Sequence, residues 1–253
     1  GRAGEWFGVR LAGVQPDLMS LSKGLTAGYF PFGVAAVHAR LVHAFEGAPN
    51  LMPHGFTNCG HPVGCAAAIA TIEYIKQNDV IGNVQARGDE MRALLGRLAP
   101  HSSIVGDIRG AGMLTCVEFV EDKRTKVKLP QGQFMRLHAH AAKVYGLRLR
   151  GLNTWSLCIN PASTVSRSEV YKIVAPLGRT LVDLGHCDDQ LAAVVDQIEA
   201  EGANLEPRFP LLVEWCGRLA SLVRSSARDR SQMAAILLAL GVGAALGRRS
   251  CLG

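Results

Sequence analysis

Apolar residues recur along the chain at two spacings, one typical of helices and one typical of strands. A repeat of three to four residues between apolar positions predicts helices, because it places those side chains on one face. Four segments have this repeat, and the first, with isoleucine at every third position, is expected to be a packed helix. These predicted helices span residues 64–77, 79–98, 131–145 and 188–200.

A fifth helix is predicted from its first residues. Ser166 and Glu169 have the spacing of a capping box, in which each side chain binds the other residue's backbone amide. We expect this helix to run to Leu184. Pro176 lies inside it and lacks an amide hydrogen, so a kink or break is predicted at that point.

Strands are predicted where apolar and polar residues alternate, or where short apolar runs end at turn-forming residues. The predicted strands span residues 104–108, 113–120, 147–150 and 155–159. An earlier apolar run, Pro16-Asp-Leu-Met-Ser-Leu-Ser-Lys23-Gly24, ends abruptly at a lysine and a glycine, and we expect a buried strand there. Helices that alternate with strands predict a layered α/β or α+β fold.

Composition narrows the class of protein. The chain has 253 residues, of which 48% are hydrophobic and 19% charged, so it is too apolar for intrinsic disorder and long enough for one large domain or two ordinary ones. The net charge is +6, but the basic residues are dispersed, and we expect no nucleic-acid partner. The longest apolar run, residues 233–247, is too short for a membrane span. Because the chain begins at Gly1 without an initiator Met, we expect a fragment.

The cysteines and histidines predict the compartment and argue against a metal site. Seven cysteines are scattered with no Cys-x-x-Cys pair, which indicates buried thiols in a reducing compartment. We therefore expect a cytoplasmic protein, or one of an organellar matrix if a transit peptide preceded Gly1. His138 and His140 are two residues apart on a predicted helix and do not share a face, so no metal is expected.

Lys23 is the residue whose position points most specifically to a chemical role. A lysine at the end of a buried strand is desolvated or paired, and a neutral amine attacks carbonyl groups. Gly24 allows a flat ligand to approach the backbone closely. An ordinary solvated lysine gives the same local pattern, so the surrounding motifs decide between the two interpretations.

Four motifs occur in a fixed order over about 170 residues. They are Gly1-Arg-Ala-Gly with Ser22-Lys23-Gly24, then His54-Gly-Phe-Thr57-Asn-Cys-Gly60-His61-Pro62, then Arg109-Gly110-Ala-Gly112-Met113, then Gly146-Leu-Arg-Leu-Arg150 with Asn160-Pro161. Together they resemble the class III aminotransferases, which use pyridoxal phosphate (PLP). The last motif resembles the subgroup that acts on ω-amino acids and amines with pyruvate.

The resemblance implies a type I PLP-dependent transferase fold of the α/β class, with a mostly parallel sheet in its large domain. Residues 1–100 would be the C-terminal part of this PLP-binding domain, and residues 101–185 the small C-terminal α/β domain. Residues 186–253 stay unassigned as a helical tail. The resemblance also implies a homodimer with active sites at the subunit interface.

The resemblance further implies roles for three residues. Lys23 would form the Schiff base with PLP and then move the substrate proton as a base. Thr57 would bind a cofactor phosphate oxygen across the dimer interface. Arg150 would bind a substrate carboxylate, although Arg148 is predicted on the same strand face, and the sequence does not separate the two.

The matched enzymes are longer than this chain, which leaves alternatives open. The chain begins just after the position at which their pyridine-nitrogen aspartate would lie, so we expect the fragment alone not to transaminate. One alternative is a truncated, non-catalytic aminotransferase paralogue. The other is a class III enzyme of the aminomutase type.

Overall fold

The computed structural model describes residues 1–46 and 55–205 of the chain, which form two compact units. The smaller unit contains residues 13–46 and 55–78, and the larger contains residues 1–12 and 79–205. The apolar run at 233–247, most of the expected tail and His54 lie outside the described residues. The domain limits expected near residues 100 and 185 stay a prediction.

The smaller unit contains a two-stranded antiparallel sheet and a long helix. Strand β1 (Leu18–Leu21) pairs with β2 (Val34–Val37), and a short helix α1 (Ala39–Val42) follows. Helix α2 (Pro62–Gln77) confirms the helix predicted over 64–77. It begins where the His61 ring accepts a hydrogen bond from the Val63 amide at 3.3 Å.

The expected burial of this region is wrong for the described residues. Leu18 in β1 is 65% exposed, Ile69 in α2 is 57% exposed, and Lys23 after the strand is also exposed. The reason is that β1 has one strand neighbour among residues 1–46 and 55–205, so its side chains are not enclosed between packed layers. The apolar run predicted the strand itself correctly.

The larger unit is built on a five-stranded sheet in which every described pairing is antiparallel. The strands are β3 (Val105–Ala111), β4 (Leu114–Asp122), β5 (Val127–Lys128), β6 (Arg150–Gly151) and β7 (Ser156–Ile159). Their order is β3-β4-β7-β6, and β5 pairs with β4. The mostly parallel sheet implied for the large domain is not among the described pairings.

Three of the four strands predicted in this region are confirmed, and the one predicted over 147–150 is confirmed only at Arg150, where β6 begins. The chain before it closes helix α4 (Gln131–Val144) instead, because the Leu147 amide donates to the Ala141 carbonyl at 3.0 Å. The Leu149 carbonyl lies 2.7 Å from the His138 ring nitrogen. Backbone groups that a strand would have paired are therefore taken by the helix and its side chain.

Four helices supply most of the core of the larger unit. The helices are α3 (Val80–Leu98), α4 (Gln131–Val144), α5 (Arg167–Asp183) and α6 (Leu191–Ala203), and they confirm the helices predicted over these segments. Thr115, Val117 and Phe119 alternate as buried residues along β4. The Phe119 ring lies 6.3 Å from the Phe134 ring of α4, so this face of the sheet packs against the helices.

Helix α5 begins as the sequence predicts but does not break at Pro176. Ser166 and Glu169 form both hydrogen bonds of the capping box. The helix continues through Pro176 to Asp183, and the carbonyl that the proline cannot bond belongs to Lys172, an exposed residue. Water can satisfy a carbonyl on the exposed side of a helix, so the missing amide does not end it.

The described cysteines are less buried than expected. Cys59 is exposed, and Cys65, Cys116, Cys158 and Cys187 are partly exposed, so the expectation of buried thiols is wrong for these five. Within residues 1–46 and 55–205, every helix falls short of the length and apolarity that a membrane span requires.

Candidate active site

Lys23 lies in a tight turn with an unusual backbone conformation. It follows β1 after one residue, Ser22, and begins a single 3-10 turn, Lys23–Leu25, with a φ of 52°. This left-handed conformation costs a residue other than glycine about 1–2 kcal/mol, so the surrounding contacts must stabilise the turn. The Ser22 hydroxyl donates to the Phe32 carbonyl at 3.0 Å, and the Leu25 amide donates to the Ser22 carbonyl at 3.1 Å.

A buried threonine closes the loop that follows. Thr26 is 1% exposed, and its hydroxyl donates to the Phe30 carbonyl at 2.7 Å. The Tyr29 amide donates back to the Thr26 carbonyl at 3.0 Å. Sequence reasoning named Ser22 as part of a motif but missed its bracing role, and it missed Thr26, although hydroxyl residues on both sides of the Lys-Gly pair were a signal of a side-chain-braced turn.

An ion pair holds the opposite end of the β1–β2 hairpin. The Arg40 guanidinium donates to the two Asp17 carboxylate oxygens at 2.7 and 2.5 Å. The His38 amide donates to the Asp17 carbonyl at 2.7 Å. The hydrogen bond from Arg40 holds the pKa of Asp17 below its ordinary value. The hairpin that carries Lys23 is thus fixed at both ends.

A cleft of about 660 Å³ lies in the same unit, beside the Thr57 loop. Its walls are residues 30–35 together with Phe56 and residues 58–61. The Phe30 and His61 rings lie 5.0 Å apart, centre to centre. Thr57 is exposed between two of the lining residues, and the loop turns through a hydrogen bond of 2.9 Å from the Cys59 amide to the Phe56 carbonyl.

One glycine brings helix α2 against the aromatic wall of this cleft. A Cβ on Gly64 would lie 2.4 Å from the Phe32 ring, which is far inside van der Waals contact. Gly64 therefore allows the first turn of α2 to approach Phe32 closely, and the cleft depends on this packing.

Arg150 lies in the larger unit, whereas Lys23 and Thr57 lie on two separate loops of the smaller one. Arg150 is exposed in β6, and no carboxylate of the described residues lies within salt-bridge distance of it. Arg109, in contrast, is neutralised by Asp107 and Glu118 at 2.6 Å each.

The structure also separates Arg150 from Arg148. Only Arg150 is part of a paired strand, because residues 147–149 do not form one. The backbone of Arg150 is therefore held by its pairing with Cys158 in β7. Groups of three or more His, Cys, Asp or Glu side chains that could hold a metal ion do not occur in the described ranges.

Comparison with known proteins gives a consistent family. The profile of the class III aminotransferases matches residues 1–181. A putrescine–pyruvate aminotransferase of Pseudomonas aeruginosa is 34% identical over 197 residues, which cover 77% of this chain and 41% of that protein. This chain therefore spans about two-fifths of the length of that relative.

Solved structures agree with the sequence comparison. A thermostable (S)-enantioselective omega-transaminase of Thermomicrobium roseum is 33% identical, with a TM-score of 0.66 over 73% of this chain and 41% of that one. A PLP-bound amine transaminase from an uncultivated Pseudomonas species is 32% identical, with a TM-score of 0.67 over 72% and 42%. These likenesses confirm the expected α/β fold of PLP-dependent transferases. The chain belongs to the class III aminotransferase family.

Proposed function

We propose that this chain carries part of the active site of a PLP-dependent aminotransferase. The reaction moves an amino group from an ω-amino acid or amine to a keto acid such as pyruvate. The names of the relatives support this reaction class, since one uses putrescine and pyruvate and two solved relatives are amine or omega-transaminases.

The geometry of Lys23 carries the proposal. A lysine that holds an aldehyde cofactor needs an accessible amine on a backbone that does not move. Lys23 is exposed, and its strained turn is held by the hydroxyls of Ser22 and Thr26. These residues fit PLP, because an amine in this setting is free to attach to the cofactor aldehyde as a Schiff base.

Lys23 would serve the reaction twice. When bound, PLP supplies the electron sink that stabilises charge developing on the donor carbon. Nζ of Lys23 would hold the cofactor and, once free, would act as the base that takes the proton from the amine-bearing carbon of the donor and returns it to the cofactor carbon. The hydrogen bonds of the Ser22 and Thr26 hydroxyls would hold the backbone that carries this Nζ.

Thr57 would bind a phosphate oxygen of the cofactor held by the partner subunit of a homodimer. Its exposure on a loop supports a contact outside its own unit. The loop is followed by α2, a helix of 16 residues, and amides at the start of a helix favour a nearby anion. A threonine hydroxyl donates the hydrogen bond that orients a phosphate oxygen.

Arg150 would bind the carboxylate of pyruvate or of an ω-amino acid. A guanidinium donates two parallel hydrogen bonds to a carboxylate, which fixes the orientation of the substrate. The lack of a carboxylate partner among the described residues leaves Arg150 available for this role, whereas Arg109 is occupied by Asp107 and Glu118.

The proposal is tested by alanine formation from pyruvate and an ω-amino acid, with PLP added to the complete protein. The expected result is turnover that Lys23→Ala abolishes and Lys76→Ala preserves, since Lys76 is an exposed lysine at the end of α2. Turnover that persists in Lys23→Ala would overturn the assignment. Isomerised donor without pyruvate consumption would favour the aminomutase alternative, and no turnover would favour the non-catalytic paralogue.

A further inference from the structure

Two cysteines and two arginines form a row across four strands of the larger sheet. Arg109 in β3 lies opposite Cys116 in β4, Cys116 lies opposite Cys158 in β7, and Cys158 lies opposite Arg150 in β6. Directly opposed residues share a face of a sheet, so the two thiols are neighbours between two guanidinium groups. The proposed aminotransferase reaction makes no use of the thiols.

The hydrogen-bond pattern places the two cysteines at a close pairing position. The Phe119 amide donates to the Trp155 carbonyl at 2.8 Å, and hydrogen-bonded pairs alternate with non-hydrogen-bonded pairs along an antiparallel ladder. Phe119 and Trp155 are a hydrogen-bonded pair. Cys116 and Cys158 are the third pair from it along the register, so they are a non-hydrogen-bonded pair. Such pairs have Cα atoms about 4.5 Å apart, within the range of about 4.4–6.8 Å that a disulfide joins.

The thiols are on the face of the sheet that small reagents can reach. Cys116 and Cys158 are both partly exposed, whereas Thr115 and Val117, on the opposite face of β4, are buried against the helices. Both cysteines have free thiols in the structure. A disulfide between them would form without moving either strand, because the register already holds them opposite each other.

The surroundings indicate which thiol reacts first. Burial raises the pKa of the Cys116 thiol, and Glu118 on the same face adds to this effect while Arg109 opposes it. Cys158 lies opposite the exposed Arg150. The raised pKa leaves less Cys116 thiolate to attack an oxidant, so we assign the first attack to Cys158.

We propose that Cys116 and Cys158 form a reversible disulfide within one chain, by exchange with a low-molecular-weight disulfide such as oxidised glutathione. The Cys158 thiolate attacks one sulfur of the oxidant, forms a mixed disulfide and releases one glutathione thiolate. The Cys116 thiolate then attacks the Cys158 sulfur and releases the second. The two protein thiols lose two electrons and two protons, and the oxidant takes up both to give two reduced glutathione molecules.

The test is a peptide map of the complete protein after incubation with oxidised or reduced glutathione. Trypsin releases Cys116 in the peptide 110–123 and Cys158 in the peptide 151–167, and neither peptide contains another cysteine. After oxidation we expect a roughly tenfold or greater rise in the linked pair of peptides, and its loss on adding dithiothreitol. The oxidised protein should still migrate as a single chain in a non-reducing gel.

Matched variants decide the specificity of the link. Cys116→Ser and Cys158→Ser should each abolish the linked peptides, and Cys65→Ser should leave them unchanged, because Cys65 lies in helix α2 of the other unit. Glutathione retained on Cys158 without a link would overturn the proposal. So would full alkylation of both thiols after oxidation, or linked peptides found only in a covalent dimer. None of these outcomes depends on aminotransferase activity, so the result is separate from the proposed function.

Discussion

The hydroxyl of Thr26 donates a hydrogen bond of 2.7 Å to the carbonyl oxygen of Phe30, although both residues lie in a loop. Thr26 is 1% exposed, so its hydroxyl lies away from bulk water. The bond closes the loop three residues after Lys23, and the Ser22 bond to Phe32 closes it from the other side. The lysine is therefore positioned by hydroxyl groups of its neighbours in sequence.

Thr26→Val should destabilise this loop and weaken attachment of PLP to Lys23. Valine has the shape of threonine but leaves the Phe30 carbonyl unsatisfied, which costs about 1–3 kcal/mol. We expect a lower thermal midpoint and a smaller fraction of protein with bound PLP at a fixed cofactor concentration.

The matched control is Thr26→Ser, which keeps the hydroxyl. It should retain the PLP occupancy of the unchanged protein. Equal occupancy in the valine and serine variants would show that the hydrogen bond does not position the lysine.

Gly88→Ala should be among the most destabilising substitutions in helix α3. A Cβ on Gly88 would lie 2.1 Å from the Gly112 carbonyl oxygen, which is backbone and cannot move aside. Overpacking of this kind costs about 1–3 kcal/mol or more. Urea unfolding followed by circular dichroism measures the loss.

The same helix supplies the control for that substitution. Gly96 is exposed, and a Cβ there would meet nothing within 4 Å. Gly96→Ala should therefore stabilise the protein by about 0.5–1 kcal/mol through helix propensity. Equal effects at the two glycines would refute the close approach of α3 to Gly112.

Tyr145→Phe should destabilise the protein at neutral pH and much less in acid. The Tyr145 hydroxyl donates to the Asp183 carboxylate at 2.6 Å, and this bond, aided by His140, holds the pKa of Asp183 below its ordinary value of 3.8. A lowered carboxyl pKa stabilises the fold above the ordinary value, and this contribution is lost as the pH falls through the folded-state pKa.

Exposure to solvent limits how much the Tyr145–Asp183 hydrogen bond contributes to stability. The Asp183 side chain is about one-third exposed, so we expect a loss of about 1 kcal/mol at pH 7 rather than the value of a buried charged bond. Thermal midpoints at pH 7 and pH 3 measure it. Tyr29→Phe is the control, because Tyr29 is 58% exposed, and its effect should be the same at both pH values.

Arg150→Gln should raise the KM for pyruvate by roughly 10- to 100-fold, since a hydrogen bond to a charged group contributes about 1.5–3 kcal/mol. An amine donor without a carboxylate should keep its KM. Arg148→Gln should change neither constant, because Arg148 lies outside the paired strand. A larger rise for Arg148→Gln would reassign the carboxylate to that residue.

Local patterns were sufficient to predict most of the helices and strands. The repeat over 79–98 predicted α3, and the Ser166–Glu169 spacing predicted the start of α5, because both signals arise from residues close in sequence. The strand expected over 147–150 forms only at Arg150, because His138, eleven residues before Leu149, takes the backbone carbonyl of Leu149. Contacts of that kind are not encoded in the local apolar pattern.

The candidate site was likewise predicted only in part from the sequence. Lys23, Thr57 and Arg150 were found from motifs, and their roles stay predictions. The left-handed backbone of Lys23 and the pairing of Cys116 with Cys158 were not predictable, because they depend on strand register and on hydrogen bonds across a loop. The exposure of Lys23 was also missed, since burial of a strand depends on which layers cover it.

Borohydride reduction in the presence of PLP tests the central claim about Lys23 most directly. Trypsin cleaves after Arg10, Lys23 and Arg40, and it does not cleave after a modified lysine. If Lys23 forms the Schiff base, the complete protein should yield one reduced PLP adduct, on an uncut peptide spanning residues 11–40. Lys76→Ala should leave that adduct in place. Adducts scattered over other lysines, or none, with peptides 11–23 and 24–40 recovered unmodified, would contradict the account.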